Sequence, residues 1–320
     1  MTIETQFEVY MKQLTTRKRS PIKGATVAAY HSYYRTWVGP LLGKMDVKVV
    51  ENGVMKKFVS QLAEKNLSAS SIASITQLVK GIVSSLQDEN GNSLVPRAWN
   101  ADFIDSPLIK DQKAPTITSQ GITYAIERGG PIFGPLFALL GASGLRIGEI
   151  RALKVGPQPE SSYWDPKESK LVIRKALYLD KEQSPKTESG IREVDLNEEI
   201  NEYLMGCLGP NLPIQGYMFS EGNGEPLNMT ALYEGAKKCK VPGFHAFRRY
   251  RITHLENMSV PLGLINFWAG HATKGDIHNR YVKLDKDIQA RKDWAQRAGL
   301  GFSLTSEKKD LTERFMCATV

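Results

Sequence analysis

Two histidines and three arginines crowd the eleven residues HAFRRYRITHL, 245–255, between Phe247, Ile252 and Leu255 at the spacing of a packed helix face. On such a helix His245 and Arg248 are i,i+3 neighbours, so both project to one side and can address one phosphate. Arg249 and Arg251 are left as polyanion or solvent contacts, and His254, about two and a half turns beyond His245, as a packing or surface histidine. In SGLRIGEIRAL (143–153), Arg146 follows a Gly-Leu turn and opens a helix. A planar guanidinium there suits two phosphate oxygens, and it equally suits Glu149 at i,i+3. Lys186, in SPKTESGIREV (184–194), sits on a turn, where an ammonium can reach a neighbouring groove and deliver a proton or simply meet solvent. His271 and Tyr281 come from NFWAGHATKGDIHNRYVK (266–283). A phenol attacks phosphorus well when arginines stabilise its phenolate and the pentacoordinate phosphorane; amid Asn279, Arg280 and Lys283 the same tyrosine also reads as a surface residue.

The elements that must carry these groups change character along the chain. Residues 4–14, 24–38, 48–65 and 69–87 each place apolar residues at helical spacing, and VGPLLGK (38–44) and ENGNSLVPRAW (89–99) supply the helix-stopping Gly, Pro and Asn. Residues 1–100 therefore read as a small helical domain. ADFIDSPLIKDQKAPT (101–116), with two prolines and no periodicity, reads as a linker. Helices are expected at 118–128 and 131–143, strands at 170–179 and 191–196 with Lys186 on the turn between them, and a third short strand at GYMFS (216–220). Residues 228–297 read as helices again. The second domain, 117–297, is thus expected to be helical with a small antiparallel sheet, followed by a tail at 298–320.

The bulk numbers fit this picture. A chain of 320 residues suits two domains, and 41% hydrophobic with 24% charged residues is ordinary for a globular protein. Lys and Arg number 42 against 34 acidic residues, a net +8 that favours polyanionic partners. The front third is rich in basic residues, among them Arg17, Lys18, Arg19 and Lys23, the pattern of a nucleic-acid clamp or of a solvated helical face. Three cysteines without paired spacing argue for a reducing compartment and against a zinc site, and no Asp/Glu cluster has metal spacing. No apolar run reaches membrane-span length, and MTIETQFEVY lacks a signal-peptide core, so a cytoplasmic protein is expected.

Taken together, GLRIGEI, KTESGIREV, HAFRRYRITHL, AGHA and the later tyrosine, with MFSEGNGEPLNMTAL (218–232) ahead of the His-x-x-Arg box, closely resemble the boxes of the tyrosine recombinase (phage integrase) family. The resemblance covers residues 112–290, and the N-terminal helices resemble that family's SAM-like core-binding domain. KGDIHN before Tyr281 departs from the threonine-rich pattern usual there, and the interval from His271 to Tyr281 is slightly long. The resemblance implies a mainly α fold, a SAM-like helical domain with an α+β catalytic domain, closing on double-stranded DNA recombination sites. It implies Tyr281 as nucleophile, forming a 3′-phosphotyrosyl link; Arg146 and Arg248 on the non-bridging oxygens, with a hydrogen bond from His271; Lys186 as acid for the 5′-oxygen; His245 assisting proton transfer at the tyrosine; and Glu149 orienting its partners. No cofactor, metal or ATP is implied. A homo-tetramer on DNA is, along with accessory DNA-bending or directionality proteins, and the tail would dock on a neighbouring protomer. Core-binding helices that begin almost at residue 1 favour a simple, Xer-like integrase. Arg17, Lys18, Arg19, Lys23, Arg249 and Arg251 become candidate DNA contacts. Two alternatives stay open: a type IB topoisomerase-like relaxing enzyme, and a catalytically silent DNA-binding regulator of a mobile element.

Overall fold

The computed structural model describes residues 1–19, 21–108, 114–178, 180–185, 188–209, 216–220, 224–271 and 286–304. The chain divides into two compact units, Met1–Lys113 and Ala114–Val320.

The first unit is helical: α1 (Ile3–Thr16), α2 (Gly24–Tyr33), α3 (Gly39–Leu42), α4 (Asn52–Glu64), α5 (Ala69–Ser84) and α6 (Ala101–Ile104). Ile3, Phe7, Met11 and Leu14 recur along one face of α1, and they meet Ile72, Ile75, Leu78, Val79 and Ile82 of α5 in one apolar core. Thr2, Ser68 and Asn100 cap α1, α5 and α6 by accepting from backbone N–H groups three residues on. The single helix expected over 24–38 is observed as α2 followed by a π-helical turn, Tyr34–Val38, running into α3. Pro40 explains the widening: it has no N–H and its ring crowds the carbonyl four residues back, so Gly39 N bonds Tyr34 O five residues back. Residues 101–104, expected as linker, instead form α6, with Ile104 buried in the core. Asn52 ties this helix down, donating from Nδ2 to Ala98 O and accepting at Oδ1 from Asn100 N. Four residues are too few to show a period.

The second unit is built around α8 (Gly130–Ser143), whose residues from Gly134 to Ser143 are all buried. Packed on it are α7 (Ser119–Arg128), α10 (Glu198–Leu208) and α12 (Phe244–Asn257), with Phe137 of α8 stacked on Phe247 of α12 at 5.8 Å between ring centroids. A short α9 (Ile147–Arg151) leads into β1 (Leu153–Val155), β2 (Ser162–Asp165), β3 (Lys170–Ile173), β4 (Ala176–Tyr178), β5 (Lys181–Gln183) and β6 (Arg192–Asp195). The main sheet has the order β1-β2-β3-β6, and β4 pairs with β5 apart from it. The sheet is mixed, because β1 and β2 run parallel while the other pairs are antiparallel, and the single strand expected over 170–179 is broken into β3 and β4, which lie in different sheets. GYMFS does not form a strand; Tyr217 makes a single bridge opposite Lys154, and Met218 N donates to Leu153 O at 2.7 Å. Helices α11 (Met229–Lys238), α13 (Leu262–Ala269) and α14 (Ile288–Ala298) complete the unit. Among the described residues no helix is long and apolar enough to cross a membrane.

Candidate active site

The bend that presents Arg146 begins where α8 ends. Gly144 takes a left-handed backbone at φ +64 to close α8, turning the chain so that Arg146 becomes the N-cap residue of α9. Glu149, one turn on, reaches back with Oε2 to accept from Arg146 N at 2.9 Å, while Oε1 accepts from the Arg146 guanidinium at 2.9 Å. The pairing allowed by i,i+3 spacing is therefore formed, and it leaves Arg146 half-exposed, at 45%, beside a carboxylate that is only 3% exposed. Burial works to raise the Glu149 carboxyl, but the Arg192 charge and hydrogen bonds, with Arg146, hold it below the ordinary carboxylate range.

The second arm is α12. His245 and Arg248 leave it on one side, and they differ sharply in environment: His245 is exposed and Arg248 is buried. Arg248 donates from Nη1 to Gly144 O at 3.1 Å and from Nη2 to Ala269 O at 2.6 Å, tying together the ends of α8 and α13. Its Nη2 also lies 2.8 Å from His271 Nε2. A guanidinium has no acceptor, so this contact makes Nε2 the acceptor and puts the ring proton on Nδ1. A donor role for His271 toward a phosphate would use that Nδ1 proton or require the Arg248 bond to open.

The gathered charges tune one another. Burial, then the Arg146 charge, pushes Arg248 down to about 10, which still leaves it cationic at neutral pH. Partial desolvation lowers His245 below the usual histidine value although the ring is exposed, reinforced by Arg249, Arg248 and Arg146. His271 is lowered likewise, by burial first and then by Arg248, Arg146 and Arg192. Both rings are thereby biased to the neutral form. Arg146, Ile147, Tyr233, Phe244, His245 and Arg249 line one cavity of about 440 Å³. Arg146, His245, Arg248 and His271, chosen from three separate stretches of sequence, thus converge on one site. Such a cluster can neutralise an anion's oxygens and accept a proton beside them.

Lys186 and Tyr281 lie outside the described residues. What is described is the arm leading toward Lys186. A Cβ on Gly148 of α9 would come within 2.6 Å of Leu177 O, so helix and β4 backbone touch closely. Arg151, at the end of α9, pairs with Asp180 beside β5 and donates from Nε to Leu227 O at 2.7 Å. Among the described residues no group of three or more His, Cys, Asp or Glu is placed to hold a metal ion.

The remaining cations of HAFRRYRITHL separate on inspection. Arg251 is buried, and its Nη1 donates to Gly299 O at 2.6 Å, so its expected place as a backbone or solvent contact is corrected: it faces the interior and staples α12 to the chain after α14. Arg249 is half-exposed and spans to Pro115 O. His254 donates to Ala298 O at 2.8 Å and stacks on Tyr250, a structural role. Arg17, Lys18 and Arg19 are exposed between α1 and α2, and Lys23 is half-buried at the N-cap position of α2. Sequence reasoning missed Arg192, whose buried guanidinium grips Glu149 from the opposite side to Arg146, Nη2 donating to Oε2 at 3.1 Å. The signal was its place in GIREV: Arg192 shares a strand face with Val194, and a charge on a core-facing position demands a partner.

No family model matches the sequence, and no curated protein matches it. Solved structures do. The chain is similar to the Tn1549 transposon integrase in complex with transposon right end DNA, at 17% identity and TM-score 0.65, over 100% of this chain and 99% of that one. It is similar to a lambda integrase dimer bound to a COC′ core site, at 12% identity and TM-score 0.57, over 97% and 100%. It is also similar to a lambda integrase tetramer bound to a Holliday junction, at 14% identity and TM-score 0.59, over 86% and 80%. The chain therefore shares the fold of these integrases.

Proposed function

We propose that the protein is a site-specific DNA recombinase of the tyrosine type, and that the convergence of Arg146, His245, Arg248 and His271 on one site carries this reading. Displacement at a phosphodiester needs charge neutralised on the equatorial oxygens and protons moved at both ends of the reaction. Arg146, half-exposed at the cavity, and Arg248, behind it, supply the positive charge, with His271 beside Arg248. His245, exposed and biased to its neutral form, accepts the proton of the attacking phenol. Tyr281 is the nucleophile in this reading: its oxygen bonds to phosphorus, the bond to the 5′-oxygen breaks, and Lys186 protonates that oxygen, which leaves as a hydroxyl. The phosphotyrosyl link conserves the bond energy, so rejoining is the reverse step and no ATP is consumed.

The partner is double-stranded DNA, and the similar integrases seen on transposon-end and core-site DNA support it. Arg17, Lys18, Arg19 and Lys23 contact phosphates in this account, Arg249 sits at the rim of the cleavage site, and four copies assemble on paired sites, with accessory DNA-bending proteins setting direction. The protein acts where DNA is, in the cytoplasm of its host cell. The test is a plasmid carrying two copies of the DNA flanking the gene, incubated with the protein in EDTA. Exchanged circles are the expected product. Relaxed plasmid without exchange would make the protein a relaxing enzyme, and binding without strand breakage would make it a silent regulator.

A further inference from the structure

Arg192 lies at the meeting point of the two arms of the site and reaches neither solvent nor substrate, its side chain being 0% exposed. Its fork is nearly fully used. Nη1 donates to Glu149 Oε1 at 3.2 Å and to Gly190 O at 3.0 Å, Nη2 donates to Glu149 Oε2 at 3.1 Å, and Nε donates to Trp268 O at 2.7 Å. The Glu149 carboxylate it grips is the one that orients Arg146 through backbone and side chain alike. The carbonyl it caps belongs to the last turn of α13, three residues before His271. Gly270, between them, has φ +65, and a Cβ there would fall 2.9 Å from Arg192 Nη1 and 3.0 Å from Cζ. The turn that delivers His271 is therefore moulded on the Arg192 guanidinium.

Stability alone is a poor reason for this arrangement. A buried ion pair gains little over well-packed apolar side chains of the same volume, because desolvating both charges offsets their attraction. What a bidentate guanidinium supplies is fixed geometry at two places at once.

Building on the recombinase reading, we propose that Arg192 is a positioning residue that holds the Arg146 arm and the His271 arm in register, through Glu149 on one side and the Trp268 carbonyl on the other.

Two consequences distinguish positioning from bulk structural support. First, Arg192 and Glu149 act as one unit, so their substitutions are non-additive. Second, the charged groups facing Glu149 are Arg146 and Arg192, with Arg248 of α12 also feeling its charge. Removing Arg192 leaves burial pushing the carboxyl up, so Glu149 takes up a proton at higher pH and loses its grip on Arg146 earlier on acidification.

The experiment uses the full-length protein in single-turnover cleavage of a nicked duplex that traps the covalent product. Arg192→Met is expected to bind DNA within about threefold of wild type yet cleave roughly 100-fold more slowly, the size of loss that slight misplacement of reacting groups produces. The acid limb set by Glu149, separate from that of His245, lies at higher pH than in wild type. Glu149→Gln is slow as well, and the double variant is no slower than the slower single one. Arg192→Lys, which keeps the charge and the fold, restores the wild-type acid limb but stays at least about tenfold slow, since one ammonium cannot bridge both arms. A wild-type rate in Arg192→Lys, or additive losses in the double variant, would overturn the proposal. A DNA-free arm follows the histidine ring by NMR, assigned with His271→Gln. In Arg192→Met the His271 ring titrates at higher pH than in wild type while His254 does not move, and an unmoved His271 would also overturn the proposal. If wild-type protein never cleaves DNA, the recombinase reading fails while the NMR arm still decides whether Arg192 positions His271.

Discussion

His245 must be neutral to take a proton from a phenol, and its surroundings favour that form. Partial desolvation is the first cause of its lowered value and the Arg249 charge the second. The acid limb of cleavage is therefore expected below the ordinary histidine value of about 6.5. Arg249→Ala removes one depressing charge, so the limb moves up toward that value, measured as single-turnover cleavage against pH. The same substitution leaves His271 out of account, because the charges acting there are Arg248, Arg146, Arg192 and His245. A limb that stays in place in Arg249→Ala would move the proton acceptor away from His245. Arg248, by contrast, stays protonated through this range even when pushed down to about 10, so its charge on the site is constant.

Helix α12 serves two masters along its length. Its first turns hold His245 and Arg248, and its later turns staple residues 298–301: Arg251 to Gly299 O, His254 to Ala298 O, and Tyr250 to Gly301 O at 2.6 Å. Arg251→Met leaves the part-buried Gly299 carbonyl without its donor, so denaturant unfolding is expected to show a loss of about 1 kcal/mol, the low end of the cost of an orphaned group. DNA affinity measured well below the melting temperature stays at the wild-type value; a selective loss of affinity with unchanged stability would return Arg251 to the DNA. The staples also show where sequence stops being informative. Periodicity found α1, α4, α5 and α7 because each buries one face over several turns. It missed β1, β2 and β5, whose three or four residues are too short to display alternation, and it over-read GYMFS, whose apolar residues pack without a ladder. The gathering of Arg146, His245, Arg248 and His271 was legible because their spacing and boxes resemble a known set. Arg251 was not, because nothing local tells a charge paired deep in a core from one in solvent, and Gly299 lies 48 residues away; Arg192 showed a buried charge by its strand face, but not its partner Glu149, 43 residues away.

On the proposed function, a net charge of +8, with exposed Arg17, Lys18 and Arg19 in the helical unit, would make DNA affinity depend on counterion release. The logarithm of the affinity should fall linearly with the logarithm of salt, and replacing each phosphate-contacting residue by alanine should reduce the slope by about 1 across all DNA sequences alike. Anisotropy titrations at several salt concentrations check this; an unchanged slope in an Arg17→Ala, Lys18→Ala, Arg19→Ala protein would remove the α1–α2 connection from the interface. The proposed recombinase stands or falls on covalent chemistry at one residue. Incubated in EDTA with a nicked suicide duplex, the wild-type protein is expected to form a protease-sensitive DNA adduct whose nucleotide-bearing peptide maps to Tyr281, and Tyr281→Phe to form none. An adduct that persists in Tyr281→Phe, or cleavage that requires magnesium and leaves no adduct, would refute it.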